Sequence, residues 1–312
     1  MVSTVGLGCN NLGRDVDDTA AAALIATARD EGVTLLDTAD VYPRPVGLAE
    51  AMLGRVLRGQ RDQFVVATKF GSSMDATNGP DWGARGSRRY IRLAVEASLR
   101  RLNTDWIDLY QYHAPDRITP VEETLAALTE LVAEGKVRYI GSSNFAAWQV
   151  VEADFIARAA GGARFVSAQN GYSLLDPRVE QELVPACVAY GVGLLPFFPL
   201  ANGLLTGKHD RHRPAPVSRI AQRLPGLHRE ADWDLIERLT EFGAERERSL
   251  LEVAIAGLAA QPAVASVIAG ARTPEQLRAN AAAGRWSLTE DDLTALALAR
   301  ARAPRPQAST RS

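Results

Sequence analysis

The sequence predicts a single-domain α/β protein in which eight parallel strands and their helices close into a (β/α)8 TIM barrel. Eight short apolar runs alternate with longer stretches of helical period, as in repeated βαβ units. The runs are apolar almost throughout, as expected for strands whose outer face is covered by helices. The chain has 312 residues, and such a barrel commonly takes about 250 as one domain. A doubly wound sheet is the alternative.

The predicted strands are short, and several of them end in a polar residue. In chain order they are V5-G-L-G-C, T34-L-L-D, F64-V-V-A-T-K, I107-D-L-Y, V137-R-Y-I-G, F165-V-S-A-Q, G193-L-L-P-F and A265-S-V-I-A.

Helical periodicity predicts helices at 17–31, 46–59, 87–102, 120–134, 145–160, 177–190, 249–260, 274–283 and 289–302. Asp17 and Ser87 stand where helix caps are expected, and Thr289 with Asp292 resembles a capping box.

Two long segments, 71–86 and 202–230, have an irregular composition and follow the carboxyl ends of strands. Loops in this position line the substrate sites of barrels, so we expect both to form walls of a site. The barrel is predicted to occupy 1–302, and the Pro-, Arg- and Ser-containing tail 303–312 is predicted to be disordered.

Composition excludes several classes of protein. A net charge of −2 argues against a nucleic-acid partner or an anionic-membrane partner, and no apolar run approaches the roughly 20 residues that span a bilayer. The N-terminus lacks the pattern of a signal peptide. Two cysteines, Cys9 and Cys187, are too few for a disulfide framework, so we expect a cytoplasmic location.

Four polar residues lie at or just beyond the ends of predicted strands: Asp37, Tyr42, Lys69 and His113. Side chains at these ends meet at one mouth of a parallel barrel. Tyrosine titrates near pH 10 and is a weak acid, but a nearby ammonium lowers its pKa. Lys69 can supply that charge, with Asp37 holding it in place. A lone lysine at a strand end is usually solvated, and a lone histidine is usually a polar residue with its hydrogen bonds satisfied. The joint placement of the four residues instead predicts a proton-donating site for a carbonyl.

Carbonyl reduction needs hydride, which no side chain provides, so a nicotinamide cofactor is implied. The usual dinucleotide fingerprint is absent, because G6-L-G-C-N-N lacks its third glycine. Instead, S142-S-N and Gln169 can hydrogen-bond a carboxamide, and Phe197 can stack on a flat ring. Arg272, beside the helix that Thr273 begins, suits a phosphate.

Six segments in order resemble the aldo-keto reductases, and the likeness extends from V5-G-L-G-C to about Ala283. The segments are L36-D-T-A-D-V-Y, V65-V-A-T-K-F-G, S98-L-R-R-L-N-T-D-W-I-D-L-Y-Q-Y-H, E134-G-K-V-R-Y-I-G-S-S-N-F, L200-A-N-G-L-L-T-G-K and G270-A-R-T-P-E-Q-L-R-A-N.

This resemblance implies an NADPH-dependent carbonyl reductase that acts on a small molecule, is a monomer and needs no metal. The family's catalytic tetrad falls on Asp37, Tyr42, Lys69 and His113. Its nicotinamide-binding residues fall on Ser143, Asn144, Gln169 and the stacking position Phe197. Its contacts to the 2′-phosphate and adenosine fall on Gly270, Arg272, Gln276 and Asn280.

The sequence departs from the family pattern at three places. Phe197 and Phe198 replace the usual tyrosine and serine, although stacking needs only a ring face. Gln276 is neutral where many members place an arginine on the 2′-phosphate, which leaves NADH possible. P43-R-P-V-G replaces a glycine-rich stretch, and Arg44 can meet an anionic substrate or face solvent.

Two other functions stay open: an NAD(P)-dependent sugar or alcohol dehydrogenase of the same fold, and a cofactor-sensing binding subunit. A metal-dependent hydrolase is disfavoured, because H209-D-R-H lies in an irregular loop. The sequence does not identify the substrate. We expect its pocket to be lined by Asn10, Trp82, Tyr112 and Phe198, with parts of 202–230.

Overall fold

The computed structural model describes residues 1–216 and 218–301, without the side chain of Arg219. The predicted tail 303–312 lies outside this part. Within it the chain forms eight strands: β1 Val5–Gly8, β2 Leu35–Asp37, β3 Val65–Phe70, β4 Ile107–Tyr112, β5 Val137–Ser143, β6 Phe165–Gln169, β7 Gly193–Leu194 and β8 Val267–Gly270.

The strands form one parallel sheet in the order β7-β6-β5-β4-β3-β2-β1-β8. The two ends of this order meet, because Phe197 forms a parallel bridge with Ile268 and Leu194 forms one with Val264. Ile268 also donates its backbone N–H to the carbonyl of Pro196 at 2.9 Å. The predicted (β/α)8 barrel is therefore confirmed.

Helices follow the strands and cover the outside of the barrel. They are α1 Asp18–Asp30, α2 Leu48–Val56, α3 Arg88–Leu102, α4 Val121–Ala133, α5 Ala147–Ala159, α6 Leu183–Tyr190, α7 Arg219–Arg223, α8 Pro225–Arg229, α9 Trp233–Ala244, α10 Leu250–Ala259, α11 Pro274–Ala283 and α12 Glu290–Arg300. In the described part of the chain, none of them is long and apolar enough to cross a membrane.

The predicted helix caps are confirmed. Asp17 accepts a hydrogen bond from the N–H of Ala20, and Ser87 accepts one from Tyr90. Thr289 and Asp292 form a reciprocal capping box at the start of α12. These caps satisfy N–H groups that the first helical turn leaves without a partner.

Two helix predictions were wrong. The helix expected at 177–190 is a short 3-10 turn at Arg178–Glu180 followed by α6. Pro185 accounts for the break, because proline fits the first turn of a helix but not its interior. The segment 202–230 contains α7 and α8 instead of being irregular throughout.

The sequence analysis also missed α9. Asp232 caps this helix by accepting from the N–H of Leu235, and Trp233, Ile236 and Leu239 are buried along one face. A three-residue apolar spacing behind a cap residue is a helical signal. This spacing behind Asp232 is sufficient to predict α9 from the sequence.

Two apolar layers hold the barrel. A large cluster lies between the strands and the helices, and a small one fills the lower barrel with Leu35, Ala67, Leu109, Leu195 and Ile268. On β2 to β4 the inward positions change from apolar to polar toward the carboxyl ends, at Asp37, Lys69 and Gln111. The fold thus supports a polar site on top of an apolar plug.

A buried polar network lies behind β2 and β3. The guanidinium of Arg101 donates to Glu50 at 2.7 Å and to Asn78 at 3.0 Å, and Asn78 in turn donates to Asp40 at 3.2 Å. Thr68 also donates to Glu50, at 2.6 Å. Arg101 therefore pairs directly with the buried carboxylate of Glu50, and Asn78 links it to the buried carboxyl group of Asp40. Burial, with the nearby charge of Glu50, raises the pKa of Asp40 well above its ordinary value.

We predict that Asp40→Asn makes the stability of the protein less dependent on pH. The native Asp40 carboxyl keeps its proton to a higher pH than the unfolded one, so wild-type stability falls as pH rises from about 4. The asparagine variant lacks this fall and gains stability relative to wild type. Urea unfolding across this range measures the difference, with the exposed Asp62→Asn as control. A constant difference would contradict the prediction.

Candidate active site

A cavity of about 610 Å³ opens at the carboxyl ends of the strands. Its volume lies in the usual range for small-molecule sites. Most of the residues predicted from the sequence line it: Asn10, Asp37, Tyr42, His113, Ser143, Asn144, Gln169, Phe197, Phe198, Gly270, Arg272, Gln276 and Asn280.

A buried ion pair lies at the floor of this cavity. The Lys69 ammonium is 2.9 and 2.8 Å from the two carboxylate oxygens of Asp37, and it donates to the carbonyl of Thr38 at 2.8 Å. Burial lowers the pKa of Lys69, but the surrounding groups, Asp37 foremost among them, together more than offset it, so the net shift is upward. The amine is therefore charged at neutral pH.

Tyr42 lies above this pair, with the Lys69 nitrogen 5.5 Å from the centre of its ring. Burial raises the pKa of the phenol, and the opposing effect of Lys69 is smaller. The expectation that Lys69 lowers the pKa below the ordinary value is thus not met in this structure. Tyr42 holds its proton at neutral pH and is available as a donor.

His113 follows β4 and faces Tyr42. The two ring centres are 5.8 Å apart at an interplanar angle of 89°. Burial, with the charge of Lys69, lowers the pKa of His113 to about 3. The imidazole is therefore neutral at physiological pH. Its Nδ1 lies 3.0 Å from the hydroxyl of Ser72, a residue that the sequence analysis did not single out.

Amide side chains surround the ion pair. Gln169 donates to Asp37 at 2.8 Å, and Gln111 donates to the same oxygen at 3.3 Å. Gln169 therefore has a partner inside the barrel, in addition to lining the cavity as predicted. Gln111 was missed, although Ile107, Leu109 and Gln111 alternate along β4, a periodicity of two that places them on one face.

Ser143 and Asn144 lie at the rim beside His113. The amide nitrogen of Asn144 donates to the backbone carbonyl of His113 at 2.9 Å and to the Ser143 hydroxyl at 3.2 Å. Both side chains line the cavity. They offer the hydroxyl and amide groups that a carboxamide can hydrogen-bond.

The other end of the cavity lies at the start of α11. Gln276 accepts a hydrogen bond from the backbone N–H of Arg272 at 2.8 Å, and Asn280 donates to the carbonyl of Gly270 at 3.3 Å. The Arg272 guanidinium is 3.5 Å from Asp15. A guanidinium beside a helix N-terminus is a favourable environment for phosphate.

Lys208 also lines the cavity but was not among the predicted site residues. It ends the L200-A-N-G-L-L-T-G-K run, which was recognised only as a family segment. The position of its side chain depends on left-handed residues Asn202 and Gly203 within helical turns at Ala201–Thr206. Periodicity does not predict such a path.

Two predicted substrate residues do not line the cavity. Trp82 is 73% exposed, and the Arg89 guanidinium covers its ring at 4.2 Å. Tyr112 is buried against Phe70, with ring centres 5.0 Å apart, and its hydroxyl accepts from the backbone N–H of Asp116. Asn10 and Phe198 do line the cavity.

The sequence analysis also considered Arg44 for binding an anionic substrate and His209 for binding a metal. Arg44 forms an exposed ion pair with Asp75 at 2.8 Å. His209 lines the cavity and accepts from the N–H of Ala215. Within 1–216 and 218–301, no group of histidine, cysteine and acidic residues is arranged to hold a metal ion.

The arrangement is a protonated phenol above a buried ion pair at one end of a cavity, with a guanidinium beside a helix N-terminus at the other. Residues 4–300 match the Aldo/keto reductase family. The chain belongs to the aldo/keto reductase family. The resemblance inferred from the sequence is confirmed, and the protein is an oxidoreductase.

Similarity to individual proteins agrees with this family. The chain is 37% identical to the uncharacterized oxidoreductase YrpG of Bacillus subtilis (strain 168), over 95% of this chain and 91% of the relative. It is 34% identical to a probable voltage-gated potassium channel subunit beta of Oryza sativa subsp. japonica, over 86% and 83%. It is 32% identical to versiconal hemiacetal acetate reductase of Aspergillus parasiticus, over 94% and 92%.

We predict that His113 shows no titration between about pH 5 and 8, the interval in which an ordinary imidazole gains its charge. The NMR signal of its Cε1–H group measures this, with His113→Gln used to assign the signal among the four histidines. A titration midpoint inside the interval would show that burial and Lys69 do not keep the ring neutral.

Proposed function

We propose that this protein reduces an aldehyde or ketone to an alcohol with NADPH, and that Tyr42 donates the proton. One observation carries the proposal: a protonated phenol, a neutral imidazole and a buried ammonium–carboxylate pair meet at one end of a cavity. Phosphate-suited groups lie at the other end. The reductase named among the relatives supports the direction of the reaction.

The residues present fit a nicotinamide dinucleotide. Phe197 offers a ring face at the cavity wall. Gly171 lies beside this ring, and a Cβ built on it would be 3.5 Å from the ring carbons. Ser143 and Asn144 would hold the carboxamide, and Arg272 would hold a phosphate. When bound, the nicotinamide supplies hydride to the carbonyl carbon.

The side chains of this chain then act on the carbonyl oxygen. Tyr42 donates its proton to the oxygen as negative charge develops there. The positive charge of Lys69 stabilises the resulting phenolate, and Asp37 holds Lys69 in position. His113, as a neutral donor, orients the oxygen. Stabilising charge where it forms is usually the largest contribution to catalysis.

We predict that Tyr42→Phe lowers kcat for carbonyl reduction by at least about a hundredfold, because the phenol is the general acid. Cofactor affinity should stay close to wild type, since the ring is retained. Stopped-flow or steady-state NADPH oxidation measures kcat, and fluorescence titration measures affinity.

Tyr139→Phe is the matched control, because Tyr139 is 59% exposed on β5 and lies outside the cavity. It should behave as wild type. Wild-type turnover by Tyr42→Phe would rule out the acid role. A wild-type protein that binds the cofactor but turns over no carbonyl in a broad panel would instead favour the binding-subunit alternative.

We predict that Arg272→Ala weakens NADPH binding about tenfold or more and NADH binding much less, because a charged hydrogen bond to the 2′-phosphate is lost. Arg278→Ala, on α11 just after the loop that carries Arg272 and paired with Glu31 and Glu275, is the control. Titration with both cofactors measures the effect. An equal loss for both would remove Arg272 from the phosphate site.

A second candidate is oxidation of a sugar or other alcohol with NAD as cofactor. It is favoured by Gln276, which is neutral and whose amide oxygen accepts from the Arg272 backbone. Comparing both directions of the reaction with both cofactors distinguishes the two. Tighter NADH binding with faster alcohol oxidation would select the second candidate.

A further inference from the structure

We infer that Ser72 is a positioning residue that holds His113 in the tautomer with its proton on Nε2. The Ser72 hydroxyl lies 3.0 Å from Nδ1 of His113. This inference rests on the proposed function, because it concerns how His113 meets the carbonyl oxygen. The contact itself is independent of any substrate.

The protonation pattern of the imidazole decides what it can do. A neutral imidazole has one N–H donor and one acceptor nitrogen. A carbonyl oxygen only accepts, so Nε2 must carry the proton for His113 to bind it. Nδ1 is then a bare acceptor and needs a donor, which the Ser72 hydroxyl supplies.

The opposite tautomer leaves groups without partners. If Nδ1 carried the proton, it would donate to Ser72, and the hydroxyl proton of Ser72 would need another acceptor. Among the side chains and backbone that the structure describes, the Ser72 hydroxyl has no other hydrogen-bond partner. The bare Nε2 would also face the lone pairs of a carbonyl. A polar group that lacks a hydrogen-bond partner in a partly buried site raises the free energy of that arrangement.

The backbone fixes both partners before any ligand binds. The N–H of His113 donates to the carbonyl of Phe70 at 2.8 Å, which ties the start of its loop to β3. Gly71 turns the chain with φ +103°, and a Cβ there would lie 2.6 Å from the Tyr112 ring. Arg85 donates to the Gly71 carbonyl at 2.8 Å. These backbone contacts therefore hold Ser72 beside the imidazole.

Ser73 provides a matched control one residue away. Its side chain is exposed, and its hydroxyl contacts Asp75 at 3.5 Å instead of His113. Ser73→Ala removes a hydroxyl from the same loop without touching the imidazole. Ser72→Thr keeps the hydroxyl and should restore what Ser72→Ala loses.

The experiment compares wild type, Ser72→Ala, Ser72→Thr and Ser73→Ala. Nitrogen-15 NMR of labelled histidine reports the tautomer of His113, and His113→Gln assigns its signals. We expect the Nε2–H pattern in wild type, Ser72→Thr and Ser73→Ala. Ser72→Ala should shift toward a mixture and lose about fivefold to tenfold in kcat/KM, the size expected for one hydrogen bond, with unchanged NADPH affinity.

An Nδ1–H pattern in the wild type, or an unchanged spectrum in Ser72→Ala, would overturn the inference. Loss of activity in Ser72→Ala without a change of tautomer would reduce Ser72 to a structural role. Failure of the proposed function is separate: absent carbonyl turnover by wild type would leave the NMR comparison intact, and the spectrum alone would still decide the tautomer.

Discussion

The ion pair between Lys69 and Asp37 is the interaction on which the site depends. Removing two charges from water costs several kcal/mol for each ion, and only good geometry and further hydrogen bonds offset this cost. Here Gln111, Gln169 and the carbonyl of Thr38 supply those bonds. The pair spans β2 and β3, so its position is set by strand register and not by a mobile loop.

One buried charge acts on two titrating neighbours. Burial lowers the pKa of His113 and the Lys69 ammonium lowers it further, whereas burial raises the pKa of Tyr42 and Lys69 opposes that rise. Both rings are therefore neutral at physiological pH, and the phenol carries a proton. In the proposed reaction, an oxygen that accumulates negative charge between the two rings would gain a hydrogen-bond donor without a second charged group beside them.

The site residues at the strand ends were predictable from the sequence, because each is a polar residue that closes an apolar run. The barrel then brings the carboxyl ends of these strands together. Alternation along β4 could also have separated Gln111, which faces the barrel, from Tyr112, which packs outward against Phe70. Ser72 and Lys208 could not be found in this way. Their positions depend on left-handed backbone at Gly71 and on the turns at Ala201–Thr206, which follow no sequence period.

Gln276 is neutral where many family members have an arginine, but several charged side chains lie at the same end of the cavity. Asp15 contacts Arg14, Arg223 and Arg272, which come from the loop after β1, from α7 and from the loop before α11. Burial raises the pKa of Asp15, but these guanidinium groups together lower it below its ordinary value. Three positive groups against one carboxylate leave this junction cationic. A phosphate here would meet positive charge even though residue 276 is neutral, so the neutral side chain of Gln276 does not by itself argue against the proposed use of NADPH.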